Sequence, residues 1–168
     1  NLYYIKHDRY VPFPIRAFWH LIDLFSPFAR RAIRHVIQDE DPDVIISHNL
    51  KGLGVSVGKE IQKQGVPHIH TLHDVQLSVP SGLLIHGHEK GGLNSGPLRR
   101  MYEKGVTRSI GRPDAVLSPS KFLSDFYKER GMFSHSKMRV LPNPLPPVDS
   151  APRGKRVSGP TRLLYVGQ

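Results

Sequence analysis

The chain has 168 residues, enough for one domain with a real core, and its 38% hydrophobic content predicts a globular rather than a disordered chain. Lys and Arg number 24 against 14 Asp and Glu, a formal charge of +10 that favours phosphate-bearing or anionic-surface partners. The absence of cysteine excludes disulfides and thiolate zinc sites, and no run reaches the roughly 18 consecutive apolar residues of a membrane span.

The chain opens without Met or the residue order of a signal peptide and closes on an apolar strand ending in glycine, so both ends read as cut. Residues 2–5 read as a short strand, after which Pro12 and Pro14 break the backbone. Phe18, Leu21, Ile22, Phe25, Phe28, Ala29, Ala32, Ile33 and Val36 then follow helical spacing, with Arg30, Arg31, Arg34 and His35 largely on the other side. Ser26-Pro27 is a helix-start signal inside that pattern, so one kinked helix and two helices in tandem fit equally.

From Asp41 the order becomes regular. A strand at 44–47 leads to a helix over 53–64 stopped by Gly65, then a strand at 66–72 and a Gly-rich loop over 82–96. A helix at 98–110, a strand at 115–118, a helix at 122–130 closed by Gly131 and a strand at 138–141 follow. This alternation predicts an α/β fold, a Rossmann-like parallel sheet with flanking helices. Residues 143–160, rich in Pro, Gly, Ser and basic side chains, read as an interdomain linker. Residues 1–142 are then a partial N-terminal domain, and 161–168 the first strand of a second.

In an open parallel sheet, ligands bind beyond the carboxyl ends of the strands. Those positions hold His48 and Asn49, then His73 and Asp74, then Ser118 and Ser120, and finally Asn143. An imidazole beside a carboxylate, as at His73-Asp74, can orient a hydroxyl; the bland alternative is a rim histidine bonded to backbone. His68, His70 and His73 form H-x-H-x-x-H, with His86 and His88 a second H-x-H, which raises a metal-dependent hydrolase as a rival. Strand alternation sets His68 and His70 apart from His73, which favours packed or solvated histidines. Gly52, Gly54 and Gly58 fit neither a dinucleotide fingerprint nor a P-loop and read as close packing of a helix on the sheet. Arg99, Arg100, Lys104 and Arg108 share one helix side; without aromatic interleaving, nucleic acid is not expected as a partner.

Taken in order, the segments SPFARRAIRHVIQDEDPDVIISHN, GVPHIHTLHDVQLSVPSGLL, DAVLSPSKFLSDFYKERG, MRVLPNPL and RLLYVG resemble the N-terminal, acceptor-side domain of retaining glycosyltransferases of family 4 and the first strand of their donor-binding domain. That resemblance implies a two-domain GT-B architecture. A nucleotide-sugar donor would be held mainly by the C-terminal domain, and a glycan or lipid-linked acceptor mainly by this one. It matches His73 to the cleft histidine near the transferred sugar, puts Asp74, Asn49, His48 and Ser120 on the acceptor side, and Asn143 and Gly167 toward the donor. It implies a transfer with no cofactor and no metal. The basic helix faces fit an anionic membrane or a phosphate-bearing substrate, and the enzyme is expected to be cytoplasmic, peripheral at the inner face of the membrane. Relatives commonly carry an arginine where this chain has Gln168, and cysteines in the loop where this chain has Val79-Pro80-Ser81. By the same resemblance the donor motifs fall outside residues 1–168, so this polypeptide is not expected to catalyse by itself. A basic, non-catalytic binding module for membrane or acceptor is the alternative from another class.

Overall fold

In the computed structural model, residues 12–80, 82, 84 and 96–144 are described. The strand read at 2–5, His86 and His88, most of the linker, and the strand at 161–168 with Gly167 lie outside them.

Two helices precede the sheet: α1 (Phe13–Phe25) and α2 (Pro27–Glu40). Ser26 separates them, and its Oγ accepts a hydrogen bond from Ala29 N at 3.2 Å, while Pro27 occupies the first turn where no N–H is needed. The tandem reading therefore holds. The apolar face expected across this region is buried only in part: Ala29 and Ile33 pack against the core and Ile22 is half-buried. Trp19, Leu24 and Ile37 are buried, whereas Phe18, Leu21, Phe25 and Val36 are exposed and Phe28 is 84% exposed. The break at Ser26 rotates the two helices independently, and α1 is drawn inward on its Asp23 side. Asp23 Oδ1 accepts from Gly52 N at 2.7 Å, and Asp23 O accepts from Val55 N at 2.8 Å.

The remaining elements are β1 (Ile45–His48), α3 (Val57–Lys63), β2 (His68–Thr71), α4 (Pro97–Ile110), β3 (Ala115–Ser118), α5 (Lys121–Glu129) and β4 (Lys137–Val140). Each strand end lies within two residues of its expected position. The helix expected from residue 53 begins only at Val57, because Gly52 and Gly54 sit at φ 89° and 126°, outside any helix. Gly65, at φ 77°, ends α3 as expected.

The strands form one parallel sheet in the order β1-β2-β3-β4. With that order, the right-handed crossover that parallel strands follow almost without exception puts α3, α4 and α5 on a single face. Burial agrees: Ser47, His70 and Val116 are in register and buried, while the alternate row of Ile46, Ile69 and Ala115 is more open, with Ile46 55% exposed. The core lies under the helices, built from Val57, Ile61, Val106, Ile110, Val116, Leu123 and Tyr127.

Gly58 marks the tightest approach. A Cβ there would stand 2.6 Å from the carbonyl oxygen of Ile110, so this glycine serves contact between α3 and α4 rather than the helix-on-sheet packing expected. Gly58→Ala is expected to lower unfolding free energy by about 1–3 kcal/mol, because the obstruction is backbone. Urea titration against Lys59→Ala, an exposed change one residue away, checks it; equal midpoints would show that the helices simply slide apart.

Candidate functional site

The strand ends meet at one rim because β1 and β2 are paired with His48 opposite Thr71, two residues before His73. This register brings His48 Nδ1 to 2.9 Å from His73 Nε2, with ring centroids 5.2 Å apart and both side chains exposed. Asn49 follows at φ 38°, a left-handed conformation that asparagine tolerates, and its side chain is exposed.

The segment after His73 is pinned from both sides. Asp74 Oδ1 accepts from Gln76 N at 2.7 Å, closing an Asx turn, which commits one carboxylate oxygen to the backbone. Tyr127, on α5, donates to Asp74 O at 2.8 Å and accepts from Leu77 N at 3.3 Å, while Tyr102, on α4, donates to Gln76 O at 3.3 Å. Burial pushes both phenols above their usual range and keeps them protonated donors. Lys51 Nζ donates to Pro80 O, tying the far side of the loop to the turn after β1.

Beneath the rim lies a buried polar cluster. Ser47 Oγ stands 2.7 Å from His68 Nε2 and 2.9 Å from His70 Nδ1, and His68 Nδ1 has no partner. A hydroxyl donates once, so the arrangement that strands no N–H has His68 Nε2–H donating to Ser47, and Ser47 donating to His70 Nδ1. Burial depresses the His68 pKa, opposed by Asp114, whose Oδ2 accepts from His68 N. Burial, reinforced by the neighbouring histidines, pushes His70 down to about 3. Both rings are therefore neutral at pH 7. His68 and His70 converge on Ser47 and His73 converges on His48, so H-x-H-x-x-H does not gather at one point. Among the described residues no group of three His, Asp or Glu side chains is placed to share a metal ion.

Ser120 Oγ accepts from Leu123 N at 3.2 Å and caps α5, a bond that does not use its O–H. Ser118 Oγ is spent on Ser120 O at 2.9 Å. Asn143 is exposed beyond β4. Among the described residues, no hydrogen bond joins Ser120 or Asn143 to the histidine pair. Sequence reasoning missed the His48–His73 contact and the bracing tyrosines. The register of the first two strands was the available signal for the pair, and nothing local signals Tyr127, which lies 53 residues from Asp74.

The family model for Glycosyltransferase Family 4 matches residues 3–148. A Klebsiella pneumoniae protein named "Uncharacterized 42.6 kDa protein in cps region" is 25% identical over 130 residues, 76% of this chain and 34% of that protein. The chain thus spans about a third of the curated relative it matches. No solved structure gives a significant match.

Proposed function

The chain belongs to Glycosyltransferase Family 4, and from that premise we propose that the protein transfers a sugar, with retention, from a nucleotide-sugar donor to a hydroxyl of a glycan or lipid-linked acceptor. The observation that carries the reading is the pair of exposed imidazoles at the carboxyl ends of adjacent parallel strands, the position where open α/β sheets bind ligands. His73 lines the acceptor side of a two-domain cleft and orients the attacking hydroxyl. Asn49, the free oxygen of Asp74 and the O–H of Ser120 complete that wall, and Asn143 and Gly167 lie toward the donor. The reading calls for no metal: fixed positive groups of the donor-binding domain stabilise the leaving diphosphate, and the donor's own phosphate assists front-face attack.

The test is transfer by the full-length protein from a panel of nucleotide sugars to glycan and lipid-linked acceptors, followed as released nucleoside diphosphate. Acceptor-dependent release from at least one donor is expected. Binding of nucleotide with no release for any acceptor would favour the non-catalytic binding module.

An anionic, cytoplasm-facing membrane surface is the partner favoured by a second observation. Arg30, Arg31, Arg34, His35 and Lys63 line the groove between α2 and α3; Glu60 there pairs with Arg34 at 2.7 Å, leaving an excess of positive charge. Arg99, Arg100, Lys104, Arg108 and Arg130 outnumber Glu103 and Glu129 in a second groove between α4 and α5, where Glu103 pairs with Arg99 and Arg130. Among the described residues no helix is long and apolar enough to cross a membrane. Sedimentation with vesicles containing anionic lipid is expected to fall steeply as salt rises. Equal recovery with neutral vesicles would remove the electrostatic version.

A further inference from the structure

We propose that His48 is a positioning residue: by occupying Nε2 of His73 it makes Nδ1 the one nitrogen of His73 that faces a substrate hydroxyl. The functional consequence rests on the transfer reading above; the geometry does not.

A neutral imidazole carries one N–H and one bare nitrogen, and two such rings with nitrogens 2.9 Å apart share a single proton between them. For His73 to receive a hydroxyl's hydrogen bond, its Nδ1 must be bare and its Nε2 must carry the proton. His48 Nδ1 is the acceptor that satisfies that Nε2–H. The hydrogen bonds then run in one direction, from substrate O–H to His73 Nδ1 and from His73 Nε2–H to His48 Nδ1. The unfavourable tautomer would offer the hydroxyl a donor where an acceptor is needed.

Both rings are held well enough for this to matter. His48 closes β1 and is fixed in register with Thr71. The segment after His73 is anchored by Tyr127 through Asp74 O and by the Asx turn at Gln76. His73 is thus constrained by backbone on its C-terminal side and by His48 at its ring. A neutral partner in this role adds no negative charge beside a leaving diphosphate, which a carboxylate would.

Two full-length variants test the proposal. In His48→Ala the hydrogen-bond acceptor is lost, and kcat is expected to fall about ten- to a hundredfold, with KM for the donor unchanged. In His48→Asn an amide stands near the position of Nδ1, and kcat is expected to return to within about threefold of the native value, since the hydrogen bond is restored. Nitrogen NMR of selectively labelled histidine should show His73 with Nε2–H and bare Nδ1 in the native and Asn proteins, and a mixture of tautomers in the Ala protein. An unchanged His73 tautomer in His48→Ala overturns the positioning claim whatever the kinetics. A changed tautomer with native kcat overturns its catalytic importance, as do equal losses in the Ala and Asn variants. If the native protein transfers no sugar, the transfer reading fails while the NMR result still decides the pairing.

Discussion

Stability is expected to fall as pH is lowered from 6.5 toward 3, because the unfolded chain takes up protons that folded His68 and His70 refuse. Both folded pKa values lie below the ordinary 6.5, that of His70 at about 3, and the cause in each is burial. For a base with a depressed folded pKa, the unfolded state binds more protons between the two values, so unfolding free energy rises with pH across that window and levels off above 6.5. Each histidine contributes a slope of up to about 1.4 kcal/mol per pH unit where the unfolded form is protonated and the folded form is not. Urea midpoints measured at pH 7, 6 and 5 read this before most carboxylates titrate. The double variant His68→Gln and His70→Asn replaces each nitrogen facing Ser47 with an amide that does not titrate, and its midpoint should move much less. A native midpoint that is flat from pH 7 to 5 would mean that water or local opening reaches these rings.

Loss of the His73 imidazole should be the most damaging single change to transfer. In the full-length protein, His73→Ala is expected to lower kcat/KM for the acceptor about a hundredfold, roughly 2.7 kcal/mol of transition-state stabilisation. Nucleotide binding should survive, since the proposed reading puts most donor contacts on the other domain. A hundredfold is the scale of losing one orienting contact and is smaller than removal of an obligatory base, in keeping with attack assisted by the donor phosphate. His73 is exposed, so its removal should shift the urea midpoint little. Native turnover in the variant would take His73 out of the mechanism and move attention to Asn49, an exposed polar group at the same edge.

The regular part of the fold was legible because βα alternation writes itself in hydrophobic runs and glycine stops. Gly65 ends its helix where expected, and Ser26-Pro27 starts one. Local pattern failed where a distant partner decided the outcome. Spacing could not show that Asp23 would turn α1 inward, leaving Phe18 and Phe25 in solvent, because its partners are backbone N–H groups of residues 52 and 55. The helix expected from residue 53 starts only at 57 because Gly52 and Gly54, ahead of it, hold positive φ beside that same attachment. At the site, position after a strand identified His48, Asn49, His73 and Asp74 as rim residues. Their partners depended on register and tertiary packing: His48 meets His73, Asp74 meets its own turn, and Ser120 meets the first turn of α5. The buried histidines were separable from His73 by strand alternation alone, but Ser47 as their common partner was not.

The one-sided helix layer has a colloidal consequence. Among the described residues, β1 and β4 are the margins of the sheet, and Val44, Ile46, Val140 and Leu141 there are 46–58% exposed. Such margins are templates for strand addition between molecules, and the +10 charge is what keeps copies of this polypeptide apart in dilute buffer. Salt weakens that repulsion while leaving the apolar margins attractive. High ionic strength, often used to keep basic proteins free of nucleic acid, should therefore drive this one toward precipitation.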